Sequence, residues 1–392
     1  MNLTAHIEEL QPRIAALRRD LHAHPELAFH EQRTSDVVAA QLAAAGVEVH
    51  RGLAGTGVVG VLKAGVGGAA IGLRADMDAL PLDELNAFAH RSTHSGRMHA
   101  CGHDGHTAML LGAAATLART RNFAGTVYFI FQPAEEHEGG GRVMVEQGLF
   151  ERFPMKMVFG LHNWPGLPVG SIGVTAGAVM AAADRFEIAI TGRGGHAAMP
   201  HQAVDTVMAG AALVQALQTL VSRDTDPLDA AVVSVTRFHA GHADNILPES
   251  ALLGGTVRCF RPELQDALER GMQRVCDGVA ATYRVAIELR FERGYPPTVN
   301  ADDAVAVSRA AAHRVVAERG GGEVLTNLKP SMGAEDFAYL AQAVPGCYAW
   351  LGNGPGVGGC MLHSPHYDFN DDVIPAGIRY WVRLVEQALP SA

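Results

Sequence analysis

Apolar residues near the start of the chain recur at helical spacing: Leu3, Ile7, Leu10, Ile14 and Leu17, with charged residues between them. That is the pattern of an amphipathic helix. The reading places helix over 13–22, ended by Pro25, and a second helix over 34–45, capped by Thr34 or Ser35 and stopped by Gly46. Short apolar runs at 58–62, 70–74, 127–131 and 157–161 read as strands. Between them, 107–118 reads as a buried helix and 143–148 as a shorter one. Strands alternating with helices are the mark of an α/β fold.

From about Asp184 the texture changes. Residues 185–190 alternate polar and apolar, helix follows over 203–220, then a strand pair (231–238 and 251–260), helix over 263–282 and a strand over 285–292. This β-α-β-β-α-β order predicts a ferredoxin-like domain. Pro296-Pro297 closes it, and a helix over 303–319 resumes the first texture. The expected organisation is a discontinuous larger domain, 1–183 with 294–392, carrying an inserted smaller one, 184–293.

The composition, 48% hydrophobic and 18% charged over 392 residues, suits a packed globule. A net charge of −10 argues against a nucleic-acid binder. The opening pattern is expected to be a helix of the fold rather than a secretory leader, and the apolar stretch over 108–118 is too short to span a bilayer. Five cysteines, an odd number in a large chain, suit reduced thiols in the cytoplasm.

The chemistry is concentrated in four local motifs: His99-Ala100-Cys101-Gly102-His103, Gln132-Pro133-Ala134-Glu135-Glu136, Gly160-Leu161-His162-Asn163 and Met361-Leu362-His363-Ser364. Thiolate, imidazole and carboxylate hold transition metals. A lone histidine at a strand end is ordinarily structural, but Cys101, His103, Glu136, His162 and His363 together exceed what one tetrahedral ion needs, which suggests two ions. Glu135, beside a ligand, is placed to act as a general base, and the set points to metal-assisted hydrolysis. His99 and His106 are weaker ligand candidates. Asp76, Asp78 and Asp104 read better as carboxylates that orient a ligating imidazole. Gly55-x-Gly57-x-x-Gly60 matches a dinucleotide fingerprint by letter, but an apolar Val61-Leu62 follows where a helix is required. In the inserted domain, His196 lies in a glycine-rich turn, and Asn245 and Arg258 follow. An arginine fork pairs with both oxygens of a carboxylate.

These residues resemble the M20 metallopeptidases, and within them the amidohydrolase branch of hippurate hydrolases, N-acyl-amino-acid amidohydrolases and plant auxin-conjugate hydrolases. The matching stretches are Arg19 to Leu27, Leu73 to Pro81, Cys101 to His106, Gln132 to Glu136, Gly194 to Pro200 and Met332 to Phe337. The resemblance implies a mixed sheet flanked by helices and a lid domain that mediates dimerisation. It implies Cys101, His103, Glu136, His162 and His363 as ligands of two divalent ions (zinc, manganese, cobalt or nickel), with Cys101 shared. It further implies Glu135 as general base and acid, His196 as the group polarising the scissile carbonyl, often in a partner subunit's site, and Asn245 and Arg258 as substrate contacts. Many M20 peptidases use a His-x-Asp ligand pair after an early strand, where this chain has Asp76-Met77-Asp78. The expected reaction is hydrolysis of an N-acyl-amino acid, a small-molecule substrate. The alternatives are a dipeptidase or aminopeptidase, and a binding protein that keeps the fold.

Overall fold

A computed structural model describes residues 2–355 and 359–391. They form two compact units, one of Met1–Gly177, Val299–Lys329 and Asp336–Ala392, the other of Ala178–Thr298 and Pro330–Glu335. The second unit is thus wider than the expected 184–293, and it takes in the separate segment 330–335.

In chain order the first unit carries α1 (Leu3–Ala23), α2 (Gln32–Ala44), β1 (Glu48–Leu53), β2 (Gly57–Ala64), β3 (Ala70–Asp76) and α3 (His103–Thr120). Then come β4 (Gly125–Gln132), α4 (Gly140–Glu146), α5 (Leu149–Arg152), β5 (Met157–Pro165) and β6 (Ile172–Gly173), followed by the short β7 (Gly177–Met180). The second unit carries β8 (Ala182–Thr191), β9 (Gly195–His196), α6 (Thr206–Thr219), β10 (Ala231–Ala240), β11 (Ile246–Leu247), β12 (Ser250–Cys259), α7 (Pro262–Tyr283) and β13 (Ala286–Tyr295). After β14 (Thr298–Asn300) the chain adds α8 (Asp302–Arg319), β15 (Val324–Leu325), α9 (Phe337–Ala343), β16 (Gly346–Gly354) and α10 (Ile374–Ala388).

The sheet of the first unit has the order β1-β2-β4-β3-β5-β16-β6-β15. The centre, β4-β3-β5-β16, is parallel, while β1, β2 and β4 pair antiparallel. Every residue of β3 and β16 is buried, so neither strand shows the polar–apolar alternation of a half-exposed one. Helices α1, α3, α8 and α10 pack with one another around the core, and α4 packs on α9. The glycines of the fingerprint-like segment belong to the turn before β2 and to β2 itself, so no helix follows them. Among the described residues no helix is long and apolar enough to cross a membrane.

In the second unit the four-stranded sheet has the order β10-β12-β8-β13, antiparallel throughout, with α6 and α7 packed against it. Its strands alternate, as β8 shows with Asp184, Phe186, Ile188 and Ile190 buried between exposed or half-buried neighbours.

Several elements lie outside the sequence reading, β1, α9, β16 and α10 the longest of them. Of those within it, α3 starts early, at His103 rather than 107. Gly102 precedes it with φ +90°, and a Cβ at that position would stand 2.4 Å from Asn163 Oδ1. Only glycine fits there, and the turn it makes places His103 in the first turn of the helix.

A buried charge cluster clamps α1 to α3. Arg18 Nε lies 2.9 Å from Asp104 Oδ2, and His22 sets Nδ1 2.8 Å from the same oxygen and Nε2 3.3 Å from Glu84 Oε1. Arg18 and His22 are fully buried. Burial pushes the His22 pKa down, but the Asp104 carboxylate and Glu84 outweigh it and raise it to about 9. An unfolded imidazole titrates near 6.5, so this contribution is fully present below that pH and is lost as the pH climbs through about 9. At roughly 1.4 kcal/mol per unit it is on the order of 3 kcal/mol. We expect the stability gap between wild type and His22→Gln, measured by urea unfolding of chelator-treated protein, to narrow by about that amount between pH 6 and pH 10. A gap independent of pH would mean the ring is neutral in the fold.

Candidate metal centre

Strands β3, β4 and β5 run parallel, so their carboxyl ends share one edge of the sheet, where sites in α/β folds gather. Asp76 ends β3, and Asp78 follows it. Glu135 and Glu136 lie just beyond β4, His162 lies in the last part of β5, and Cys101 and His103 flank the start of α3. His363 comes from the loop after β16, and its N donates to Ala100 O at 2.8 Å, tying that loop to the Cys-Gly-His turn.

The structure brings all five candidate ligands together. Cys101, His103 and His162 form one buried trio, and Cys101, Glu136 and His363 form another, each with ligand atoms within 4.8 Å of one another. Cys101 is common to both. Glu135 groups with His103 and Glu136 but not with Cys101 and His363. Cys101 Sγ lies 3.4 Å from His162 Nε2, His363 Nε2 3.4 Å from Glu136 Oε2, and His103 Nε2 3.8 Å from Glu136 Oε1 and 4.0 Å from Glu135 Oε2. One of these residues departs from ordinary backbone geometry, His363 with φ +66°, and so does Ala134, immediately before Glu135, with φ +57°. Left-handed non-glycine residues persist only where the surroundings over-determine them.

The imidazoles are oriented from behind. His103 Nδ1 lies 2.9 Å from Asp78 O and 3.3 Å from Asp78 Oδ1, and His162 Nδ1 lies 2.6 Å from Asn163 O. A carbonyl only accepts, so Nδ1 carries a proton in both rings and Nε2 is the nitrogen left facing inward, free to bind a metal once it holds no proton. Burial, then His106, push the His162 pKa well down, and burial, then His103 and His137, lower that of His363. Both rings are therefore neutral donors. Burial opposes charge on His103 too, yet Asp76, Asp78 and Glu136 raise its pKa to about 10. Burial raises the Glu136 carboxyl.

The residues fit a metal. His103 Nε2 and Glu136 Oε1 are buried with no hydrogen-bond partner among the described residues, a state that polar atoms rarely tolerate. The field that holds a proton on His103 is a field that attracts a cation. A thiolate, imidazoles and one carboxylate suit zinc, cobalt or nickel and tolerate manganese.

Asp76 and Asp78 stand behind the ligands. Asp78 Oδ2 accepts from Glu136 N at 3.0 Å. Asp76 engages His106 Nδ1 at 2.6 Å and receives Arg74 Nη1 at 2.7 Å, while Arg74 Nη2 reaches Asp336 at 2.8 Å. Burial would raise the Asp76 pKa, but His103, His106 and Arg74 hold it well below the usual carboxylate range. Both ring nitrogens of His106 are engaged, by Asp76 and Asn163. His99 is buried without a hydrogen-bond partner among the described residues, and burial lowers it to about 4. Sequence reasoning passed over Glu31, Asn163 and Tyr367. Asn163 Nδ2 donates to the Tyr367 hydroxyl at 2.5 Å, and nothing in their local pattern distinguishes these residues.

His196, Asn245 and Arg258 belong to the second unit. β9 and β11 pair antiparallel with Ile246 opposite His196, and Ala197 N donates to Asn245 O at 3.0 Å, so His196 and Asn245 are neighbours. The exposed His196 ring accepts at Nδ1 from Ala198 N at 3.1 Å, which leaves the proton of a neutral ring on Nε2. Arg258 lies on β12 opposite Ala183 and Val232. Burial lowers its pKa, and among the described residues no hydrogen bond or ion pair holds its guanidinium.

Comparison with known proteins agrees with this architecture. The model of the peptidase family M20/M25/M40 matches residues 72–387. The chain is 40% identical over 384 residues to a hippurate hydrolase of Campylobacter jejuni, covering 98% of each chain. It is 42% identical over 323 residues to an N-acyl-L-amino acid amidohydrolase of Geobacillus stearothermophilus, covering 82% of this chain and 86% of that protein. The crystal structure of the Bacillus subtilis YXEP protein, described as a dinuclear metal-binding peptidase of the M20 family, superposes with a TM-score of 0.85 at 35% identity, over 98% of this chain and 100% of that one. The chain belongs to the M20/M25/M40 peptidase family.

Proposed function

We propose that the chain is a metal-dependent amidohydrolase that cleaves the amide of an N-acyl-amino acid, releasing a carboxylic acid and a free amino acid. The observation that carries this is the pair of donor trios sharing Cys101, with a second carboxylate, Glu135, held outside the Cys101–Glu136–His363 group. Relatives named for hydrolysis of hippurate and of N-acyl-L-amino acids support the substrate class. Cys101, His103, Glu136, His162 and His363 would hold two divalent ions, drawn from zinc, manganese, cobalt and nickel. Such ions polarise a carbonyl and acidify water.

The remaining work falls to side chains. Glu135 takes a proton from the attacking water on its carboxylate and returns it to the leaving nitrogen. His196, with its proton on Nε2, donates to the carbonyl oxygen as charge develops there. Arg258, a half-buried cation with no bonded partner in its own unit among the described residues, pairs with the substrate carboxylate, and Asn245 beside His196 adds a polar contact. A thiolate ligand at Cys101 requires a reducing compartment, which fits a cytoplasmic enzyme.

The second unit supports a homodimer. It exposes Met199, Val207, Met208, Phe238 and Ile246, and β10, which carries Phe238, is an edge strand of its sheet. An apolar edge left open is a template for another strand, and a second copy of the same edge is the occupant we propose.

Chelator-stripped protein should hydrolyse neither hippurate nor N-acetyl-methionine and should regain activity with one or more of the four ions. Glu135→Gln should keep its metal and lose about 10²–10⁴-fold in kcat. Full activity in that variant would end the general-base assignment, and turnover of dipeptides alone would favour a peptidase. Met208→Asp combined with Phe238→Asp should sediment as a monomer in analytical ultracentrifugation where the wild type sediments as a dimer.

A further inference from the structure

We infer that Glu31 is a positioning residue for the catalytic carboxylate, a brace that fixes the Pro133-Ala134 turn and thereby the placement of Glu135. This rests on the reading of Glu135 as the proton carrier. Glu31 is fully buried in the loop before α2. Its Oε1 accepts from Phe29 N at 3.1 Å and from Ala134 N at 2.9 Å, and its Oε2 accepts from Thr56 Oγ1 at 2.7 Å. Among the described residues no Lys, Arg or His pairs with it. A buried carboxylate without a counter-charge is costly, so its neighbourhood should show what it is kept for.

Thr56 Oγ1 is an ordinary side-chain donor and Phe29, itself left-handed at φ +60°, belongs to Glu31's own loop; the third donor, the amide of Ala134, comes from the loop that carries Glu135. Ala134 is itself buried and holds φ +57°, directly before Glu135. The turn is closed from its other side by Gly140 N, which donates to Ala134 O at 2.9 Å. Gly140 packs so tightly that a Cβ there would fall 1.8 Å from Pro133 O. The left-handed residue is therefore held between two fixed points, Glu31 on its N–H and Gly140 on its carbonyl. Thr56, in its own turn through Thr56 N to Ala54 O, anchors the brace behind Glu31. Two residues on from Ala134, Glu136 N donates to Asp78. Glu135 thus lies between two amides, those of Ala134 and Glu136, each pinned by a different buried acid.

The Ala134 bond needs only a lone pair on Oε1. A glutamine supplies it, and its amide group can face Thr56 Oγ1, which can turn to accept. Glu31→Gln should therefore work where Glu31→Ala does not. The test compares Glu31→Ala, Glu31→Gln, Thr56→Val and Glu135→Gln in three respects: metal content, deuterium uptake of the 133–140 peptide in metal-stripped protein, and kinetics on N-acetyl-methionine with metal restored. Misplacing a catalytic group by about 1 Å costs up to roughly 10²-fold, so Glu31→Ala should lower kcat by about 30–100-fold with KM within about twofold. It should keep its metal and exchange the 133–140 amides faster, and Glu31→Gln should restore both rate and protection. Wild-type kcat in Glu31→Ala, unchanged exchange, a loss fully explained by missing metal, or a failure of glutamine to rescue would each overturn the brace. If Glu31→Ala does not fold, Thr56→Val decides: faster exchange with a smaller kcat loss at unchanged KM supports it, and no change in either overturns it. An inactive Glu135→Gln beside a fully active Glu31→Ala removes the brace alone. A fully active Glu135→Gln removes the reading of Glu135 on which it rests.

Discussion

Asp78 lies just past the end of β3 and uses its main chain and its side chain at once. Its carbonyl and Oδ1 face His103 Nδ1, and its Oδ2 receives Glu136 N. One residue thus joins the Cys-Gly-His turn to the Glu-Glu loop, and the spacing between His103 and Glu136 is set by its length. Its position is set in turn by β3, which is buried along its whole length between β4 and β5. Were Asp78 displaced, the two loops would lose their common reference, and the trios that meet at Cys101 would separate.

The same region concentrates negative charge where solvent cannot dilute it. Asp76, Asp78, Glu135 and Glu136 surround His103, and Arg74, paired with Asp76 and Asp336, is the compensating cation. Burying such a set is unfavourable unless the charges are matched. Arg74 matches part of it, and either a proton on His103 or a bound cation that displaces that proton from Nε2 would match more. Assembly of the protein and affinity for metal therefore draw on the same electrostatic imbalance.

Much of this was legible from residue order. The strands of the first unit appear as apolar runs because parallel strands are covered on both faces, and the second unit is recognisable by its alternation and its β-α-β-β-α-β order. Three of the four ligand motifs, those of Cys101 and His103, of Glu136 and of His162, sit near the end of a strand or the start of a helix, whereas His363 lies in a loop and stands out only beside the others. β16 carried a signal that the reading does not use, the apolar run 347–351 flanked by Gly346 and Gly352. α10 carried a readable signal, apolar residues at 374, 378, 381, 382 and 385 with a proline in its first turn, that was passed over. Its buried face is one of the larger parts of the core. Glu31 could not have been found. Its part depends on the backbone of Ala134, about a hundred positions away, and a lone glutamate between His30 and Gln32 has the look of a solvated loop.

The pairing of β16 with β5 has a consequence for how the chain is made. A ribosome releases residues in order, and β5 emerges long before 346–354, with the whole second unit between them. During that interval the inner edge of β5, bearing His162, has no neighbour, and Cys101 waits beside an incomplete set of donors. His363 arrives later still, after β16. The second unit, continuous apart from 330–335, has nearly all it needs to fold on the way, whereas the first must hold its edge open until β16 has been made. Full ligation of a metal is in this sense a record that the separate stretches of the first unit have been made and brought together.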